Sequence, residues 1–580
     1  MPRRPRPDKQ QPTPPSENPA GALAWMLGVA AVAIGASIAG LGNELVQDDV
    51  SLLVENDRLH GLGQWREILT NPYWPPPHSP DLYRPITSLL LALEYSVGGG
   101  GPLPFRFTSY LLYAGLSIGV FSLARRLLPL GIAGAVALFF AAHPVHVEAV
   151  ALAVGQSELL VGLFGTLMAI RYLDRRLTGD GDLSLRDWAF LAFLYVLASC
   201  SKEQGLVLPA ILAALEISVL LSREPGLPRL RRLAPGYLLL GLAGAVVLLA
   251  RQVALGGTVT GSFTAAALQG LDFGGRALTM LAVVPEWVRL LVWPAHLQAD
   301  YSPREIVASA GFGGPEAIGA ALIAIITLGA WFARRRAPAI TFGLLWTAIA
   351  LLPVSNLVVP TGIVLAERTL LLPSLGVGLA VGGALGGGAA WPIASGLSRW
   401  PAQAGRLALA AITLALVVRS AARQRDWRND AVFRTESVED APLSWRTRLS
   451  YGSYLFEAGR RDSALDHYRR ALGLAPEAER WRVRNDLAEH YFAAEETAPA
   501  VEQLRASLSE APEQEGTRHY LVLGLLSLGA YPEAAAQADS ALARGGAAGL
   551  FTELKLLADS ARKLGVPPGG IRIRVRRMGQ

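Results

Sequence analysis

The sequence predicts an all-α protein in two parts: a polytopic membrane domain of about eleven helices, followed by a helical solenoid. Three observations predict it. Across 580 residues the chain is 51% hydrophobic and only 17% charged, too apolar for a soluble multidomain protein of this length. The apolar residues come in uncharged runs of spanning length, separated by short arginine clusters. Beyond residue 444 the composition turns polar and a repeat of about 34 residues sets in.

The N-terminal segment, residues 1–20, is rich in proline and basic (Arg3, Arg4, Arg6, Lys9) and reads as a disordered cytoplasmic tail. Ala22 to Gly42 then gives 21 residues without a charge; at about 1.5 Å per residue such a run just crosses a hydrocarbon core of about 30 Å. It is too long for a signal-peptide core and stands as a retained first span. Asn43 to Tyr83, with Trp65, Tyr73, Trp74 and Pro75-Pro76-Pro77, reads as an extracytoplasmic loop with interfacial aromatics. Pro85 to Val97 is apolar but too short to cross and carries Glu94, which suits an interfacial or re-entrant helix.

Ten further spans read near 104–124, 127–142, 149–170, 187–200, 204–222, 236–255, 315–333, 338–357, 369–388 and 404–420. Arg125-Arg126, Arg171 with Arg175-Arg176, Arg229 with Arg231-Arg232, Arg334-Arg335-Arg336, and Arg399 with Arg406 fall in or beside alternate loops. By the positive-inside rule those loops and the N-terminus are cytoplasmic, and an odd number of crossings puts the C-terminal part outside. Arg276 to Pro294, with Glu286, Arg289, Trp287 and Trp293, is assigned to the interface, because another crossing would move Arg334 to Arg336 to the wrong side. The membrane domain is thus expected over residues 21–421.

Arginines dispersed between spans do not form a nucleic-acid footprint, and no nucleic-acid partner is expected. Cys200, the only cysteine, lies in an apolar run and reads as a packing residue, so no disulfide framework or thiolate cluster exists. Four lysines against dozens of arginines fit a GC-rich bacterial genome and make Lys202 stand out as the one lysine of the membrane region.

In Trp445 to Arg480, Gly452, Gly459, Ala464, Tyr468, Ala471 and Pro476 have the spacing of a tetratricopeptide unit. A second copy starts at Trp481 and a third near Glu515, and Phe551 to Leu564 reads as a capping helix. The solenoid is expected over 444–565, presenting a concave groove to an acceptor protein or peptide. The basic tail, 566–580, with Arg572 to Arg577, is an exposed end that could touch anionic lipid headgroups.

The predicted topology puts six polar islands on one side: Asp48-Asp49, Arg84, His143-Pro144-Val145-His146-Val147-Glu148, Ser201-Lys202-Glu203, Asp300-Tyr301-Ser302 and Glu367-Arg368. For each pair taken singly, a snorkelling ion pair or a loop cap is the commoner outcome; convergence on one face weakens that reading. Dispersed cations beside carboxylates suit transfer from a lipid-linked phosphate. Arg84, Lys202 and Arg368 would hold the leaving phosphate, and Asp48 or Asp49 would accept the proton of the attacking hydroxyl. Asp49, further from the preceding span, is the preferred base. His143, His146, Glu148, Glu203, Asp300, Tyr301 and Glu367 are the expected substrate-orienting residues. Pro144 breaks the helical placement on which i, i+4 metal ligands rely, so no metal site is assigned.

Gln47-Asp48-Asp49, Tyr83-Arg84-Pro85, His143 to Val150, Gln156 to Leu160, Ser201 to Gly205, Ala299 to Ser302 and Ala366-Glu367-Arg368 to Ser374, ending in tetratricopeptide repeats, together resemble the transmembrane and tetratricopeptide repeat-containing proteins. Eukaryotic members of that family are O-mannosyltransferases of the GT-C class. The resemblance spans about residues 20–545. It implies a GT-C-like membrane domain, a polyprenyl-phosphate sugar as donor, inversion at the sugar carbon, and an extracytoplasmic acceptor. The lipid-linked sugar is a substrate, and no resident cofactor is expected. Only about three repeats are present where eukaryotic members carry longer arrays, and Thr369 stands where a tyrosine is typical. A non-catalytic membrane scaffold and a lipid-linked glycan ligase are the alternative readings. The expected location is a bacterial inner membrane.

Overall fold

A computed structural model describes residues 19–76, 81–178, 181–221, 227–257, 264–386 and 402–571. The expected disordered tail before residue 19, Pro77, Arg399 and the run Arg572 to Arg577 lie outside the described residues. Those described are all-helical, with no strand among them.

Seven of the helices are long and apolar enough to cross a membrane, or eight if Leu130–Ala142 and Pro144–Ala151, bent by 47°, make one broken span. This is a multi-pass membrane protein. Eleven spans are expected from the sequence, and three of those segments fall short in length or composition. Leu185–Ser201 and Pro338–Val354 are 17 residues each, while Gln156–Leu177 carries Glu158, Arg171, Asp174, Arg175 and Arg176. Phe273–Val292 is a 20-residue helix holding Arg276, Glu286 and Arg289. Pro85–Gly98 has 14 residues and ends on Gly99 in the left-handed conformation.

Tight helix packing comes from small residues, as expected where lipid competes for apolar side chains. Gly343 and Gly376 face each other between Pro338–Leu351 and Leu371–Gly386; a Cβ on Gly343 would lie 2.4 Å from the Gly376 carbonyl oxygen. Around that seam Leu116, Phe121, Tyr172, Trp346 and Leu379 are fully buried.

The helices run between two polar ends. Pro102–Leu127 has 26 residues, about 39 Å at the usual rise. Its start carries Arg106 beside Asp49, and its end carries Arg126 beside Asp174. Gln156–Leu177 likewise joins Glu158, paired with Lys202, to Arg176, paired with Glu216. Leu185–Ser201 starts at a Ser184–Asp187 capping box, where Asp187 takes Arg171 and Arg175, and stops at Lys202. Arg126, Arg171, Arg175 and Arg176 therefore gather at one end, and Asp49, Glu158 and Lys202 at the other.

The last membrane helix, Ala402–Gln424, leads into Asp430–Asp440 and then three helix pairs: Trp445–Glu457 with Arg461–Leu474, Arg480–Ala493 with Thr497–Glu510, and Glu515–Ser527 with Tyr531–Ala543. Ala548–Lys563 closes the stack. Ala464, Ala488, Ala500 and Ala534 are fully buried where helices cross, and a Cβ on Gly452 would lie 2.8 Å from the Tyr468 ring. The solenoid is tied to the membrane domain. Ser444 Oγ donates to Asp300 Oδ2 (2.6 Å), Leu443 N to Glu305 Oε1 (2.7 Å) and Gln298 Nε2 to the Asp440 carbonyl (3.0 Å).

Candidate active site

The loop after the first span turns at Gln47, whose φ of 54° is costly for a residue with a side chain. The turn sends its two carboxylates in different directions. Asp49 is fully buried; its oxygens accept from Ala153 N (2.9 Å) and Val154 N (3.0 Å), and Arg106 Nη1 lies 3.8 Å away. Burial raises its pKa to about 6, with Arg106 and the two amides pulling it back. A carboxylate so enclosed pins the loop and is not open to a hydroxyl. Asp48 has a side chain 27% exposed and accepts from Arg368 Nη1 at 3.0 Å. The preference for Asp49 as base is therefore corrected: Asp48 is the accessible carboxylate.

Arg368 draws several islands together. Its Nη1 also lies 3.4 Å from Glu148 Oε1, and Glu148 Oε2 accepts its backbone N–H at 2.9 Å. Pro144 stops the helix before it, so the chain passes through a 3-10 turn, Pro144–His146, and the short helix Val147–Ala151 that aims Glu148 inward.

Lys202 follows the last residue of Leu185–Ser201 in extended conformation (φ −160°). The chain then folds back so tightly that a Cβ on Gly205 would lie 2.5 Å from the Ala198 carbonyl carbon. Lys202 is buried and pairs with buried Glu158, which replaces the snorkelling alternative. Glu203 bridges two arginines, accepting from Arg84 Nη2 at 2.8 Å and from Arg251 Nη1 at 3.2 Å. The Arg84 guanidinium carbon lies 5.2 Å from the centre of the Tyr73 ring. Lys202 feels the charges of both Arg84 and Arg368, so three cations share one small region. Glu158, Glu203, Glu148 and Asp48 interleave with these cations and offset their mutual repulsion.

Other predicted site residues serve the framework. His146 lies between Tyr113 Oη (2.9 Å) and Ser374 Oγ (2.8 Å), and His143 Nε2 contacts the Leu291 carbonyl at 3.2 Å. Both rings are 1% exposed, so the expected contact with substrate is corrected to a packing role. Glu367, also buried, accepts from Gln298 N (2.5 Å) and Tyr301 Oη (3.0 Å) and so fixes the 298–301 loop. Asp300 accepts from Ser302 and from Ser444, the N-cap of the first repeat helix. Asp300 thus joins the two parts of the molecule, and Tyr301 and Glu367 brace the loop that carries it.

Sequence reasoning passed over Arg106 and Arg251. Each is a charge within an apolar helix of spanning length, and such a charge is itself a signal. Among the described residues, no three His, Cys, Asp or Glu side chains converge as a metal site would require.

No protein-family model matches the chain. It is similar to a Protein O-mannosyl-transferase of Caenorhabditis elegans, 25% identical over 458 residues, which covers 76% of this chain and 61% of that protein. It is also similar to Protein O-mannosyl-transferase TMTC4 of Homo sapiens, 27% identical over 494 residues, covering 76% of this chain and 65% of that protein. The chain thus spans rather less than two thirds of the length of these relatives. Among solved structures it has a loose likeness to ArnT from Cupriavidus metallidurans bound to undecaprenyl phosphate, with a TM-score of 0.40 and 15% identity over 74% of this chain and 81% of that one.

Proposed function

We propose that this chain is a membrane glycosyltransferase of the GT-C type that moves a sugar, mannose by its curated relatives' names, from a polyprenyl-phosphate donor to a hydroxyl of an extracytoplasmic protein. The observation that carries this reading is the crowding of Arg84, Lys202 and Arg368 beside the accessible carboxylate of Asp48. These three cations converge from three separate segments of the chain, each on its own carboxylate, an arrangement that a scaffold does not require. A lipid-linked phosphate supplies the negative charge that such a group would bind.

In this reading the acceptor oxygen attacks the anomeric carbon as its bond to the phosphate oxygen breaks. The bonding electrons leave with the polyprenyl phosphate, whose growing charge Arg84, Lys202 and Arg368 absorb. The hydroxyl proton passes to Asp48. A single displacement inverts the sugar carbon. Asp49 and Arg106 hold the loop that presents Asp48, and Glu148 and Glu158 orient the cations. The site faces away from the cytoplasm, in a bacterial inner membrane, and the groove of the repeats receives the acceptor.

The test is transfer of radiolabel from a panel of polyprenyl-phosphate sugars in membranes containing the full chain. Label moving from a polyprenyl-phosphate monosaccharide to protein, and disappearing with Asp48→Asn, is the expected result. Wild-type transfer by Asp48→Asn together with Lys202→Ala would overturn the assignment, and label moving only as a whole oligosaccharide would replace it with a ligase.

A further inference from the structure

Between the first helices of the first and second repeats lies a pocket of about 440 Å³, within the usual size range of ligand sites. Trp445, Arg446, Leu449 and Ser453 line it from one helix, and Arg482 and Asp486 from the other. We infer that this pocket is an acceptor subsite that binds an extended peptide carrying an Asp or Glu close to the hydroxyl to be modified. The inference rests on the glycosyltransferase reading only for the word acceptor.

Two features argue for that occupant. The first is charge. Arg446 and Arg482 each lie against a tryptophan, 5.5 Å from the Trp445 ring centre and 4.5 Å from that of Trp481. Their side chains are 35% and 44% exposed, so both guanidinium groups reach solvent. Each has a carboxylate nearby, Asp300 at 4.0 Å and Glu479 at 2.7 Å, but a guanidinium has five N–H donors and keeps capacity for another anion. Asp486, the one acid lining the pocket, accepts from Ser453 at 3.2 Å, and two arginines face it across the lining. Among the residues that line the pocket itself, positive charge is in excess by one.

The second feature is continuity with the candidate active site. Arg446 meets Asp300, the neighbouring Tyr301 donates to Glu367, and the next residue, Arg368, holds Asp48. That series of contacts links the pocket to the loop that carries the candidate base. An acidic flanking residue, drawn to these arginines, would set which hydroxyl reaches Asp48.

The full chain in detergent tests this directly. Two fluorescein-labelled Ser/Thr peptides, identical except for three Asp in one and three Asn in the other, are titrated by fluorescence anisotropy. The Asp peptide is expected to bind about tenfold tighter at low salt, with the advantage shrinking as salt screens the pair. Arg482→Gln should abolish the difference and Arg482→Lys should keep most of it. Equal binding of the two peptides, or full discrimination by Arg482→Gln, overturns the inference. Release of polyprenyl phosphate from donor is scored separately in the same preparation. Its failure counts against the glycosyltransferase reading and leaves the peptide result standing.

Discussion

At one end of the membrane helices Arg126 meets Asp174 at 2.5 Å, Arg232 meets Asp182 at 3.0 Å, and Arg171 and Arg175 share Asp187. At the other end Asp48, Arg84, Lys202 and Arg368 are drawn together with Glu148, Glu158 and Glu203. Both ends use the same residue types on the same helices. At the first, the buried Arg176–Glu216 pair apart, several of the paired side chains are well exposed: 64% for Arg232, 45% for Arg175. At the second, most of the charges hang from interrupted backbone (the turn at Gln47, the 3-10 segments at Pro144–His146, Glu203–Val207 and Glu367–Leu370). An exposed pair needs little support and is worth about 0–1 kcal/mol. Charges on interrupted backbone persist only where the fold holds them, and in the proposed reading this is the end that does chemistry.

The contrast is sharpest in access. With Cys200 replaced by alanine, cysteines introduced at Gln64 and Ser463 should both react with an impermeant thiol reagent in intact spheroplasts, and one introduced at Arg125 should not. Labelling of only one of the first two would break the topology in which the site and the repeats share a face.

Asp48→Asn should lower transfer about a hundredfold or more while donor binding changes little, because it removes proton acceptance and keeps shape. Single-turnover rates and donor affinity measured on the same preparation separate the two. Near-normal turnover would remove Asp48 as base.

Arg84→Ala and Lys202→Ala should each cost about 1.5–3 kcal/mol, roughly ten- to a hundredfold in transfer, the usual worth of a charge-assisted contact. Arg126→Ala, at the other end, should leave transfer unchanged. Equal losses from both ends would mean that the two clusters do the same structural work.

Asp49→Asn sharpens the comparison within the Asp pair. Arg106 keeps the Ala151 and Glu44 carbonyls, but the amide leaves one of the Ala153 and Val154 N–H groups without an acceptor, so about 1–3 kcal/mol of stability should be lost. The loss should show as a lower midpoint of thermal unfolding in detergent. Donor affinity in the fraction that stays folded should be near normal. The smallest effect belongs to Arg126→Ala itself, about 0–1 kcal/mol in the same unfolding assay.

Much of this arrangement was legible before any coordinates. Uncharged runs such as Ala22 to Gly42 can only be satisfied as helices in lipid, since every backbone polar group must bond within its own segment. The spacing of Gly452, Ala464 and Ala471 admits little other than close helix crossings, and a buried Ala464 and the Gly452–Tyr468 contact are what the fold contains. Pro144 could be relied on to end a helix because its ring has no N–H to give. The unequal burial of Asp48 and Asp49 was not legible. Which of two adjacent carboxylates is enclosed depends on Arg106 and on the amides of Ala153 and Val154, roughly 60 to 100 residues away in the chain.

By itself, the sequence determined that this chain is helical, crosses a membrane many times, ends in repeats and sets Arg84, Lys202, Arg368 and the Asp pair apart from the apolar background. These are local properties: hydropathy, periodicity and the cost of a charge in lipid are all read along a single segment. Only the tertiary structure decided what each polar residue faces. It turned Asp49, His143 and His146 inward, gave Arg251 a place beside Arg84 through Glu203, and used Asp300, on a loop braced by Tyr301 and Glu367, to join the membrane domain to the repeats. A side chain's partner is set by helices that meet in space from distant parts of the chain, and no window of sequence contains both partners.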